Sequence, residues 1–229
     1  MSDNNNIKIV VVSDTHSMHD SVEVPDGDVL IHAGDFSGRG SIYDLEEFLE
    51  WFGKFPHKNK ILIAGNHDWC FENLRRDEAI AMTKEVATYL EDSSIVIDGV
   101  KFYGAPWQPE FNQWAFNLPR GPELAAKWAK IEADTNILIT HGPPHKILDW
   151  CSGGHVGCED LSSAIFKLPE LEYHIFGHIH ESYGIEKFLD VMYVNASNCT
   201  GSYRPNNPAT VIDYVKLPTE VALEKNNHE

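Results

Sequence analysis

The segment Ile7-Lys8-Ile9-Val10-Val11-Val12-Ser13-Asp14-Thr15-His16 decides how the chain reads. Its first six residues are a β-rich apolar run and read as a strand. The run then breaks into a short polar cluster holding Asp14 and His16. The same event recurs along the chain. Val29–Ala33 runs into Gly34-Asp35, Lys60–Ala64 into Gly65-Asn66-His67-Asp68, Asn136–Thr140 into His141-Gly142, and His174–Phe176 into Gly177-His178-Ile179-His180. Taken singly, each cluster is ordinary. Gly34-Asp35 is a turn dipeptide, Asn66 can cap a turn, and His178 and His180 share one side of an extended strand. Together, five strand ends deliver Asp, Asn or His, mostly beside Gly. The carboxyl ends of strands form the ligand crevice of α/β sheets, so this recurrence points to a site.

Between the runs the pattern turns helical, as in βαβ units. Ile42, Leu45, Phe48, Leu49 and Phe52 recur at helical spacing, and Ser41 with Asp44 makes a capping box. Further helices are expected over Arg76–Leu90, Glu123–Ile131 and Asp160–Leu168. Ser94–Ile97 and Val100–Tyr103 flank Asp98-Gly99, a hairpin signal that brings in antiparallel pairing. Met192–Val194 and Thr210–Val215 complete the expected strands. With no repeat, linker or composition shift, residues 1–216 read as a single α/β domain with mixed sheets. Residues 217–229 read as a polar tail.

The 229 residues are 42% hydrophobic, enough for a sizeable core, and carry a formal net charge of −17. That charge argues against binding long nucleic acid, whose phosphates are held chiefly by Lys and Arg. No secretory signal and no membrane-spanning run is evident. Cys70, Cys151, Cys158 and Cys199 form no C-x-x-C pair and are expected as free thiols. A cytoplasmic protein is the expectation, with its oligomeric state open.

The donor types select a metal. Imidazole, carboxylate and amide oxygen suit Mn, Fe or Zn, and the lack of thiolate argues against a closed structural zinc site. Asp14, His16, Asp35, Asn66, His141, His178 and His180 are too many for one ion but suit two divalent metal ions sharing a carboxylate. Two dications against Asp14, Asp35 and a bridging hydroxide leave the site positive, so it attracts phosphate and holds a ready nucleophile.

The order D-x-H, G-D, G-N-H-D, H-G, G-H-x-H, spanning positions 14 to 180, resembles the calcineurin-like metallophosphoesterase superfamily. His141-Gly-Pro-Pro, Gly177-His-Ile-His-Glu-Ser-Tyr-Gly, Val194-Asn-Ala-Ser and Asn207-Pro-Ala-Thr-Val-Ile-Asp further resemble its metallophosphoesterase-domain-containing (MPPED) subfamily. The resemblance implies a four-layer α-β-β-α sandwich of two mixed sheets. It assigns Asp14, His16, Asp35 and His180 to one metal and Asp35, Asn66, His141 and His178 to the other, with Asp35 bridging and catalytic. His67 matches the residue placed beside the scissile phosphate, as transition-state stabiliser or proton donor. Asn66 and His67 thus also contact substrate. The implied reaction is hydrolysis of a small phosphodiester, of nucleotide type, by in-line attack of a metal-bound hydroxide. A phosphomonoesterase or nuclease, or a binding module built on a degenerate site, are the other readings. The last expects missing ligands, and none is missing.

One departure concerns Gly34-Asp-Phe-Ser-Gly-Arg-Gly40, which resembles the G-D-x-x-D-R-G of Ser/Thr protein phosphatases. Gly38 replaces the second Asp, which there pairs with the catalytic His, so the partner of His67 is open and Asp68 is one indirect choice. Arg39 is read either as a phosphate contact or as a solvated loop residue. The loop between His145 and His155 is a candidate pocket wall. Trp107, Phe111 and Trp114 are read as core or lid packing, or as a platform for a base, and Tyr203 is a further weak candidate.

Overall fold

The apolar runs pair into two facing sheets. The computed structural model describes residues 6–215; the expected tail at 217–229 lies outside the described residues. The main elements run β1 (Asn6–Val12), β2 (Val29–His32), α1 (Ile42–Gly53), β3 (Asn59–Leu62), α2 (Arg76–Lys84), β4 (Thr88–Tyr89), β5 (Ser93–Ile97), β6 (Val100–Ala105), α3 (Pro122–Trp128), β7 (Ile137–Thr140), α4 (Glu159–Ile165), β8 (Tyr173–Phe176), β9 (Gly184–Phe188), β10 (Val191–Asn195) and β11 (Thr210–Val215). One sheet has five strands in the order β11-β1-β2-β3-β4, the other six in the order β9-β10-β8-β7-β6-β5. Both are mixed: β1 pairs parallel with β2 and antiparallel with β11, and β8 lies parallel between β7 and β10.

Side-chain alternation builds the layers. Ile9, Val11 and Ile31 meet Phe102, Ile139 and Ile175 between the sheets. Val10, Val12 and Leu30 point the other way, onto Leu45, Phe48 and Phe52 of α1. Leu138 and Phe176 pack outward on Leu124 and Trp128 of α3 and Leu161 of α4. The result is the expected α-β-β-α sandwich. Each fully buried aliphatic side chain contributes roughly 1.5–3 kcal/mol, and both faces of β1 are filled.

Local chemistry sets several boundaries. Ser41 Oγ accepts from Asp44 N (3.1 Å) and Asp44 Oδ2 from Ser41 N (2.9 Å), a complete capping box that starts α1. Asp98 and Gly99 take φ of 48° and 77°, the left-handed pair that a tight hairpin between β5 and β6 demands. Some expectations need correction. The helix expected over Arg76–Leu90 ends at Lys84, because Thr88 and Tyr89 pair with Ile61 and Leu62 as an edge strand. α3 and α4 also each stop three residues short of the expected ends. β9 was not foreseen: it is an exposed edge strand without a clean apolar alternation.

Candidate metal centre

The strand ends of both sheets open on one side of the sandwich, and the backbone there is bent sharply. Asp14, His16, Asp35 and His178 have φ of 52°, 44°, 56° and 69°, the left-handed region that costs a non-glycine residue energy. Hydrogen bonds between the loops hold them. Asp14 N donates to Gly34 O (2.9 Å), His16 N to Asp35 O (3.1 Å), and His178 N to both oxygens of Asp14 (3.0 and 2.9 Å). His178 and His180 do not line one side of a strand. The chain turns after Phe176, and His180 opens a 3-10 turn to Ser182.

These bends bring the sequence's donors to one place. Asp35 Oδ2 lies 3.3 Å from His141 Nε2, 3.9 Å from His16 Nε2 and 4.0 Å from His67 Nε2. Asp14 Oδ1 is 3.3 Å from His180 Nε2, and the Nε2 atoms of His16 and His180 are 3.2 Å apart. Asn66 Oδ1 is 3.0 Å from His141 Nε2. The carboxylate and imidazole atoms form three overlapping groups with metal-holding spacing: Asp14–His16–His180, His16–Asp35–His67 and Asp35–His141–His178.

The imidazoles are oriented from behind. Nδ1 of His16, His67, His141 and His180 faces the carbonyl of Ser37, Gly38, Ala33 and Thr200 respectively, at 3.2, 2.7, 2.9 and 3.2 Å. A carbonyl only accepts, so each Nδ1 donates and each Nε2 is left facing the cluster. Metal-ligating histidines are fixed in this way. The residues therefore fit divalent cations in donor type, in aim and in spacing.

The electrostatics agree. Burial alone would raise the Asp14 carboxyl, but His180, by hydrogen bond and charge, holds it well below the usual carboxylate range. Asp35 is likewise held low against burial, chiefly by His141. Burial also opposes charge on His141, yet Asp35 outweighs it and pushes the imidazole up to about 9. A proton there occupies the place a cation would take. His178, by burial and then by His141, is pushed down to about 3.

The partner of His67 is neither a carboxylate nor Asp68. It is the backbone carbonyl of Gly38, at the position where the phosphatase pattern carries Asp. Asp68 instead accepts from the backbone N of Asp35 and of Gly65, both at 2.8 Å, and so joins two loops of the site. Burial and the nearby Asp35 push its carboxyl well above the usual range.

A cleft of about 360 Å³ opens beside this centre, with Asp35, Asn66, His67, His178 and His180 in its wall. Arg39 is exposed and is not among the lining residues. Arg120 is, but its guanidinium is held by the carbonyls of Gly157 and Val156 (both 2.7 Å) and by Glu159. The loop between His145 and His155 and the residues just after it contribute Cys151, Val156 and Gly157 to the wall. Buried Asp149 organises it, accepting from the backbone N of Lys146 and Gly157 at 2.9 Å. Phe111 and Tyr203 also line the cleft, whereas Trp107 packs against the core.

Sequence reading missed Ser197, whose Oγ donates to Asp14 Oδ2 (2.8 Å), and Asn195, whose amide donates to the Ile179 carbonyl (2.8 Å). Both belong to the Val194-Asn-Ala-Ser segment of the subfamily resemblance, where neither residue type by itself signals a partner. The segment bridges the sheets: Ser197 pairs with Ser13, and Asn198 N donates to Ser13 O (2.8 Å).

The fold and this constellation define a phosphoesterase scaffold, and the comparisons agree. The model of the calcineurin-like phosphoesterase family matches residues 7–182, and the chain belongs to that family. Within it, the chain is 42% identical to metallophosphoesterase domain-containing protein 1 of Homo sapiens, across 93% of this chain and 71% of that protein. It is 39% identical to UPF0046 protein K07C11.7 of Caenorhabditis elegans, across 84% and 70%. A solved crystal structure only 13% identical superposes with a TM-score of 0.61, over 91% of this chain and 99% of the other, which reflects the shared fold.

Proposed function

We propose that this chain is a dinuclear-metal-dependent phosphodiesterase acting on small diesters of the nucleotide type. The observation that carries the reading is the place of Asp35, whose carboxylate belongs both to the group with His16 and His67 and to the group with His141 and His178. In this reading Asp14, His16, Asp35 and His180 hold one ion, and Asp35, Asn66, His141 and His178 the other. Bound there, two ions of the Mn, Fe or Zn type supply charge neutralisation and an activated water.

The chain's own groups do the rest. His67 lines the cleft with its Nδ1–H held by Gly38 O, so a ring that carries a second proton, on Nε2, is placed to give that proton to the leaving oxygen and is left as neutral imidazole. Asn66 positions the phosphate beside it. Glu110 and Glu181 line the cleft, and the guanidinium of Arg120 is already paired. A singly charged diester meets less repulsion there than a doubly charged monoester. The reading takes residues 1–216 as one domain. It places the protein in the cytoplasm, to which the four free cysteines are suited. Among the described residues no helix is long and apolar enough to cross a membrane.

The test is turnover of bis-p-nitrophenyl phosphate by Mn²⁺-loaded protein, with mono-p-nitrophenyl phosphate in parallel. The diester should be the better substrate by kcat/KM. No turnover with Mn, Fe, Zn or Co would remove the enzymatic reading, and faster monoester turnover would remove the diester claim.

A further inference from the structure

A single hydrogen bond cannot orient an imidazole. The Nδ1–H of His67 on the Gly38 carbonyl leaves the ring free to swing about that bond, and the chain carries no carboxylate at position 38 to restrain it. The ring is nevertheless boxed in. The indole of Trp114 lies against its face, with centroids 4.1 Å apart and planes at 28°, while His16 meets it edge-on at 4.8 Å. We propose that Trp114 is a positioning residue for His67, a role that rests on the phosphoesterase reading above.

The segment carrying Trp114 is built to place it. Ala115 N donates to the carbonyl of Asn66 (3.1 Å), tying the segment to the loop that bears His67. The amide of buried Gln108 donates to Ala115 O and Asn117 Oδ1, both at 2.8 Å, and Phe116 N donates to Glu72 Oε2 (2.9 Å). Asn112, Gln113 and Phe116 take φ of 51°, 54° and 55°. Three strained residues in five persist only where the surroundings hold them, and here they turn residue 114 back over the metal centre. Phe116, buried behind, packs on Trp107 and the core. Trp114, half-buried, covers His67 instead. A stacked aromatic face adds attraction beyond burial and depends on ring geometry, so it favours one ring orientation.

The test is a double-mutant cycle in the full chain. Trp114→Leu should lower kcat about tenfold, a part of the roughly 10²–10⁴-fold that a positioned proton donor supplies, with KM and bound metal unchanged. Trp114→Phe, which keeps a stacking face, should restore most of it. In a His67→Ala background Trp114→Leu should cost nothing further, because its effect passes through His67. A readout without turnover uses metal-free protein: His67→Ala should change tryptophan emission in the wild type but not in Trp114→Phe. Equal kcat losses in both backgrounds, or an emission change that survives Trp114→Phe, would overturn the positioning role. A wild type that turns over no phosphodiester fails earlier, on the reading of the site itself.

Discussion

His67 Nδ1 donates to the carbonyl oxygen of Gly38 across 2.7 Å, so the partner of the proposed proton donor is backbone. A side chain at position 38 is therefore dispensable. A Cβ added to Gly38 meets nothing within 4 Å. Gly38→Ala should keep kcat/KM within about threefold of wild type, the range of a neutral surface change. His67→Ala should lower kcat by about 10²–10⁴-fold with metal content near normal by elemental analysis. Lost metal in that variant would make His67 a ligand instead.

Asp35 is shared by the proposed ion sites, so its loss is expected to empty both. Asp35→Asn should abolish diester turnover and most bound metal, and His178→Ala should do the same through one site. Chelation of the wild type should remove activity, and Mn²⁺ should restore it. Chelation should also lower the melting temperature, because a cation that binds the folded state alone stabilises it. A melting temperature indifferent to chelator and Mn²⁺ would count against a resident metal.

Gly65 tests how tightly the loops fit. A Cβ there would lie 2.2 Å from Asp35 Oδ1 and 2.5 Å from Asp35 N. Gly65→Ala must push Asp35 off its place, so metal affinity should fall at least about tenfold, a displacement costing about 1.4 kcal/mol or more. Isothermal titration with Mn²⁺ measures this; unchanged affinity would show that the loop yields.

Two buried histidines outside the donor set make stability depend on pH. His174 is pushed down to about 3 by burial, and His32 likewise, burial outweighing the pull of Asp14. In the unfolded chain both titrate near 6.5. Between about pH 6.5 and 3 the unfolded state therefore binds more protons, and stability falls as pH is lowered through that window. Each contributes a slope of up to roughly 1.4 kcal/mol per pH unit. His174 Nε2 bonds Thr140 Oγ1 (2.8 Å), a contact glutamine can imitate without titrating. Urea unfolding from pH 5 to 7 should show a shallower slope for His174→Gln, and parallel slopes would refute this account.

What was legible in the sequence was whatever local rules write locally. β-branched runs, the Ser41–Asp44 box and Asp98-Gly99 declare strands, a helix start and a hairpin within a few residues. The donors were legible because each sits where a strand stops, and the ends of neighbouring strands in a sheet meet. The helix expected through Leu90 failed at Lys84 because pairing of Thr88 and Tyr89 with β3 outweighs helical propensity. What holds the donors in place was decided only in three dimensions. Ser197 reaches Asp14 from 183 residues away, and Asn198 reaches Ser13 from 185. The Gly38 carbonyl has no side chain by which sequence could announce it. Arg39 kept its motif position yet stands outside the cleft, while Arg120, in no motif, lines it. The sequence by itself determined which chemical groups the strand ends supply. The tertiary structure decided which of them face one another and what orients them, because hydrogen bonding to a distant backbone depends on position in space, and side-chain identity alone does not encode it.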